Sequence, residues 1–215
     1  MVATVVAPLS IPLENVVVKA DFPSTYTTYR RIDINASPYI SADVNAVPVL
    51  IKFNSTDQSD MFGTGEDKDS IMFTSDSAGA NQLAHEGLIY SDTNSTFYVK
   101  VNLDNDSQYT PIYVWYGDPT ITGTESKTNV WTNGVSVWHF EESGNFTDSV
   151  GSNTATKTNA TTGTSSNIIG SYANFDGSGD YLSITRITVT TAYTFHWWHK
   201  TSAAGNSIIG DSTNN

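Results

Sequence analysis

From residue 96 to residue 103 apolar and polar side chains take turns. Phe97, Val99, Val101 and Leu103 fall on one side of an extended chain, and Tyr98, Lys100 and Asn102 on the other. In the run 110–116, Ile112, Val114 and Tyr116 alternate with Tyr113 and Trp115, and both sets are apolar. A strand of that kind is expected in the middle of a sheet, covered on both faces. Further short runs rich in Val, Ile, Tyr and Thr sit at 29–35, 47–53, 70–74, 88–90, 135–140, 171–175, 181–189 and 191–199. Turn-forming clusters separate them, among them Asp-Gln-Ser-Asp, Ser-Ala-Gly, Asp-Asn-Asp-Ser, Gly-Asp-Pro and Asp-Gly-Ser-Gly. Helical periodicity is almost absent, so the pattern predicts an all-β protein.

The pattern also divides the chain. Residues 117–130 are polar and turn-rich, which places a domain boundary there, with a linker over 120–130. A second polar stretch, 151–167, reads as a long exposed loop or a polar edge strand inside the second module. Residues 1–25 are apolar in places but carry Pro8 and Pro12 and no Lys or Arg before Lys19. That is a poor match to a secretory signal peptide, and no stretch approaches a membrane span. Two readings stay open for this segment: an extended arm that packs on a neighbouring subunit, or a linker with a frayed end.

Ordered blocks of the first module resemble a known family. YRRIDIN at 29–35, VPVLIKF at 47–53, KDSIMFTSDSAGANQLAHE at 68–86, and the strands STFYVKVNL and TPIYVWYGDP resemble the domain family of unknown function DUF2341, over about residues 26–119. That family brings no established catalytic residues. VWHFEESGNFTDSVG at 137–151, YANFDGSGDYLSI at 172–184 and AYTFHWWHK at 192–200 resemble the opening of a laminin-G-like, concanavalin-A-like sandwich, over about 131–215. The resemblance implies two jelly-roll-like β-sandwich modules. It also implies further strands beyond 191–199, so the second module is expected to be the front part of its sandwich. Members of that class bind glycans or proteins, sometimes through calcium.

Charge removes some function classes. The chain has 22 acidic against 10 basic residues, a net charge of −12, so it offers no basic face to nucleic acid or to an anionic membrane. It has no cysteine, which excludes disulfides, thiolate metal sites and cysteine nucleophiles. Asn35, Asn54, Asn94, Asn105, Asn145 and Asn159 each open an Asn-x-Ser/Thr sequon, a pattern that glycosylation or the Asn/Ser/Thr-rich composition alone would produce.

Candidate chemistry concentrates in VSVWHFEESGNFTDSVGSN, residues 135–153. Read as a strand, it points Trp138 and Phe140 into the core and His139 to the other face. No hydroxyl or thiol nucleophile with an oxyanion site accompanies the imidazole and the carboxylates, so no catalytic residue is assigned. Hard oxygens on a loop suit Ca²⁺, which makes Glu141, Glu142 and Asp148 the candidate metal ligands; no other cofactor is implied. LDNDSQY at 103–109 lacks the ligand spacing of a calcium loop and reads as a hairpin turn whose Asp and Asn side chains cap their own backbone. In 191–199, Tyr193, Phe195 and Trp197 form the expected inward set and His196, Trp198 and Lys200 the outward one. Trp198, with His196, is the candidate glycan-stacking surface, unless missing strands or the first module cover it.

The expectation is therefore a non-enzymatic structural protein of a virion surface, of decoration, head-fibre or tail-fibre type, that recognises glycans. Its partners would be other virion or surface-layer subunits, engaged through the arm, and copies of itself. A cell-surface adhesin, S-layer or pilus component is the alternative, and a glycoside-active enzyme the third class.

Overall fold

The computed structural model describes residues 26, 28–54, 66–89, 94–164, 170–188, 192 and 194–200. The arm expected over 1–25 and Tyr193 lie outside them. The described chain is all-β and every strand pairing is antiparallel. Six strands come first: β1 (Thr28–Ile34), β2 (Val44–Asn54), β3 (Met72–Thr74), β4 (His85–Ile89), β5 (Asn94–Leu103) and β6 (Thr110–Tyr116). They form two three-stranded sheets in the orders β1-β6-β3 and β2-β5-β4. A short helix, α1 (Lys127–Val130), precedes four brief strands: β7 (Thr156–Thr158), β8 (Thr161–Thr164), β9 (Ser171–Asn174) and β10 (Tyr181–Ser183). These pair as β10-β7 and β8-β9.

One buried cluster draws side chains from both three-stranded sheets, because alternation sends every second residue to the same side. Phe97, Val99, Val101 and Leu103 of β5 are all buried in it, with Ile112, Val114 and Tyr116 of β6. The opposite side of β6 is covered as well. Trp115 is 1% exposed and packs with Tyr26, Tyr29 and Met72, its indole nitrogen donating to Thr74 Oγ1 at 2.8 Å. Burial on both faces goes with the position of β6 between β1 and β3. Residues 103–109 turn with the expected Asp cap, Asp104 Oδ1 accepting from the amides of Asp106 and Ser107 at 2.8 and 3.1 Å, but they form no hairpin, because β5 and β6 belong to different sheets.

Strand β2 is the longest and stands at the outside of its sheet among the described residues. Its pairing with β5 shifts register between Val44 and Val47, where Ala46 takes φ 58° and donates its amide to Asn102 Oδ1 at 2.8 Å. Pro48 follows at once.

Two more expectations need correction. Residues 135–140 alternate in sequence but form no strand. The Val137 amide donates to the Asp148 carboxylate at 2.9 Å, its carbonyl accepts from Ser149 N at 2.9 Å, and Phe140 turns to φ 60°. Those local partners satisfy the backbone groups that a neighbouring strand would otherwise need. The stretch 194–200 likewise carries no strand pairing. Conversely, the Thr-rich stretch 151–167 holds β7 and β8, so its polar-strand reading is the one that the structure follows. The described residues up to Arg186 belong to one compact unit and those from Ile187 to another.

Candidate functional site

The segment read as a linker is fastened along β3 and β4. Thr124 Oγ1 lies 2.8 Å from Asp69 O and 2.6 Å from Ile71 O. Ser126 N donates to His85 O at 3.0 Å, and Lys100 Nζ donates to Asn129 O at 2.9 Å. This fastening carries Glu125 to the side of β4, where the Gly87 amide donates to Glu125 Oε1 at 2.5 Å and Lys68 Nζ faces Glu125 Oε2 at 3.3 Å. A Cβ at position 87 would stand 2.7 Å from Lys68 Cβ, so only glycine lets these groups close in.

The chain then returns over β4 and β5, where Glu86 gathers three of its side chains. Glu86, 6% exposed, receives three side chains. Trp131 Nε1 donates to Oε2 at 2.6 Å, His139 Nε2 lies 3.1 Å from Oε2, and Ser149 Oγ donates to Oε1 at 2.5 Å. Tyr98 of β5 supports the group from below, stacked on the His139 ring at 5.5 Å and edge-on to Trp131 at 4.8 Å. Within the 137–149 loop Asp148 accepts the amides of Val137 and Val150, both at 2.9 Å, and Glu142 accepts the amide of Thr147 at 3.1 Å together with its hydroxyl. Phe146, fully buried, exchanges both backbone bonds with Ala155 at 2.9 Å.

Between β4, the 125–127 segment and this loop lies a cleft of about 260 Å³. Lys68, Lys127, Glu86, Glu125, Glu141 and Glu142 line it, with His139, Thr147 and Ser149 beside them. His139, Glu141 and Glu142, close together in sequence, therefore converge on a cleft with groups from distant segments. Two of the carboxyls are held at about 7. Burial raises Glu141, and one of its oxygens, Oε1, is buried without a hydrogen-bond partner. Burial also raises Glu125, with Asp69 adding to the effect. The other two go the opposite way. Burial works against the charge of Glu86 and of Glu142, but His139, Ser149 and Trp131 for the first, and Thr147 for the second, outweigh it and lower both. The cleft thus combines carboxyls that hold protons near neutrality with ionised ones. The Ser149 proton goes to a carboxylate that stands between the hydroxyl and the imidazole, so this is not a hydroxyl activated by histidine.

No protein-family model, no curated protein and no solved structure matches the chain. The resemblances drawn from the sequence blocks rest on those blocks alone.

The sequence-derived site residues separate. Glu141 and Glu142 line the cleft; Asp148 is 5% exposed and faces its own loop's amides. Trp198 is 83% exposed, with the His196 ring edge-on at 6.0 Å, both in the unit that begins at Ile187. Phe195 and Trp197, expected to face inward, are exposed too, since no strand forms there to give the residues two distinct faces. Glu86, Glu125, Lys68, Trp131 and Ser149 were not singled out from sequence. The available signal was a carboxylate inside the apolar run LAHEGLI, a placement that requires a partner.

The raised carboxyls give a signed pH dependence. Between pH 4.5, the ordinary value, and about 7, folded Glu141 keeps a proton that the unfolded chain has released, so its contribution to stability falls as pH rises through that window. Buried His85 pulls the other way, because burial lowers it and its contribution is lost as pH falls. Comparison with a variant isolates the carboxyl. As pH rises from about 5 to about 7.5, the Tm of the wild type is expected to fall relative to that of Glu141→Gln. Parallel melting curves across that range contradict the assignment.

Proposed function

We propose that this chain is a non-enzymatic recognition module of a virion surface protein, of decoration or fibre type, and that it binds the polar groups of a glycan in the cleft beside β4. The observation that carries the binding site is the cleft itself, sized for about one sugar ring and walled by carboxylates, ammonium groups and hydroxyls that match a polyol's donors and acceptors. The hydrogen-bonded Glu86 group keeps the walls in place before a ligand arrives, which lowers the ordering cost of binding. The acidic balance and the all-β build support a displayed protein, with a cell-surface adhesin or S-layer component as the alternative carrier.

A glycan array tests the binding site. The full chain is expected to retain a subset of glycans. Glu142→Ala is expected to weaken retention by about tenfold, the effect of losing one charge-assisted contact, while Trp198→Ala leaves it unchanged. The reverse result moves the site to the exposed Trp198 and His196. Detection of the chain in intact purified particles supports the virion setting, and its absence there removes it.

One observation favours a second reading. Glu141 raised and Glu142 lowered in the same cleft give a proton donor beside an ionised carboxylate, the combination that glycoside cleavage uses. Retained glycans released as shorter products over time would select it.

A further inference from the structure

Hard oxygens on a loop made Glu141, Glu142 and Asp148 the candidate calcium ligands, and the donor set found there does not fit that ion. Ca²⁺ takes about six to eight oxygens, carboxylates foremost. Asp148 directs its carboxylate to the amides of Val137 and Val150 and Glu142 directs its own to Thr147, which leaves Glu141 alone with an unpartnered oxygen, one donor where the ion takes about six or more. Among the described residues no group of three or more His, Asp or Glu side chains is placed to hold a metal ion.

The oxygens that a loop would offer to a cation are the main-chain carbonyls, and they already face one. Lys157 of β7 donates its ammonium to Ser143 O at 2.7 Å, to Glu142 O at 3.3 Å and to Thr162 Oγ1 at 2.9 Å. Three donors meet three acceptors, so the group is fully satisfied. Its nitrogen also stands 4.6 Å from the centre of the buried Phe146 ring, a cation–π contact on its apolar side. The same residue's amide donates to Asn145 Oδ1 at 3.0 Å, and Thr162 Oγ1 donates to Glu142 O at 2.7 Å. All of these bonds tie the loop to β7 or β8, except that of Lys157 with Thr162, which joins the two strands.

We propose that Lys157 is the resident cation of this loop, an ammonium standing where a divalent ion would be sought, and that the loop closes without calcium. The inference is independent of what the cleft binds.

Thermal unfolding of the full chain tests it, in EDTA, in magnesium and in calcium at equal ionic strength. Magnesium controls for diffuse attraction to the net charge of −12. The wild type is expected to melt alike in calcium and magnesium, since an ion that filled a site in the folded state alone would raise Tm. Lys157→Met, which keeps the apolar stem, is expected to melt lower, by on the order of 5 °C, and Lys157→Arg to lose less. A calcium-specific rise in the wild type overturns the proposal, and so does a Lys157→Met variant that melts with the wild type. If Lys157→Met does not fold, the wild-type comparison and Lys157→Arg still decide.

Discussion

Glu86→Ala is expected to lose about 3–5 kcal/mol of stability, the usual cost of removing one member of a buried, hydrogen-bonded charged group. Its side chain is 8% exposed and His139's is 16%, so water cannot readily replace what is removed. Three groups lose their acceptor together: the Trp131 indole N–H, the Ser149 hydroxyl and the His139 imidazole. For a unit of this size each kcal/mol corresponds to roughly 2–4 °C in Tm, which makes the change easy to read by circular dichroism. Glu86→Gln keeps an oxygen for Trp131 or Ser149 while losing the charge, and is expected to cost less. The double variant Glu86→Ala/His139→Ala is expected to lose less than the sum of the two single changes, because both report on the same contact. Since Trp131 and Ser149 flank the return of the chain over β4, Glu86→Ala should also shift tryptophan fluorescence before global unfolding. A loss below about 1 kcal/mol, or strict additivity with His139→Ala, would show that Glu86 does not hold this segment.

Trp115→Ala is expected to be comparably severe, about 3–5 kcal/mol, since a fully buried large side chain leaves both lost contacts and a cavity. The indole packs on Tyr29 at 4.6 Å and on Tyr26 at 6.5 Å between ring centres, and its N–H reaches Thr74 of β3. Trp115→Phe restores most of the ring packing but not that donor, so it should fall between wild type and alanine. Tyr109, 42% exposed in the neighbouring turn, supplies the control: Tyr109→Ala should stay within about 0.5 kcal/mol. Similar losses for Trp115→Ala and Tyr109→Ala in urea unfolding would mean that the second face of β6 contributes little.

Much of the first part of the fold was legible because β5 and β6 announce themselves by composition. Four large apolar residues at alternate positions admit one arrangement, and the two-faced apolar run of β6 admits only a covered one. Residues 135–140 misled because alternation is a statement about side chains, whereas a strand also needs backbone partners, and Asp148 and Ser149 supplied those locally. β7 and β8 were hard to see for the opposite reason: Thr, Lys and Gly give no contrast between two faces, and contacts such as that of Lys157 with the 142–143 carbonyls fasten them to the preceding loop. The cleft was half legible. His139, Glu141 and Glu142 drew attention by crowding in one stretch, but Lys68, Glu86 and Glu125 come from distant segments that only the fastening of residues 124–131 brings to the same place. Sequence proximity shows which groups are dense, not which are opposite one another.

The irregular beginning of β2 bears on how the chain avoids pairing edge to edge with another copy. An eleven-residue strand at a sheet margin is a template for runaway association, because its outward amides and carbonyls invite a second chain to add on. Here the left-handed Ala46 bends the margin, and Pro48 has no N–H with which to continue a ladder. That border is thereby a poor template for fibre growth by a second copy.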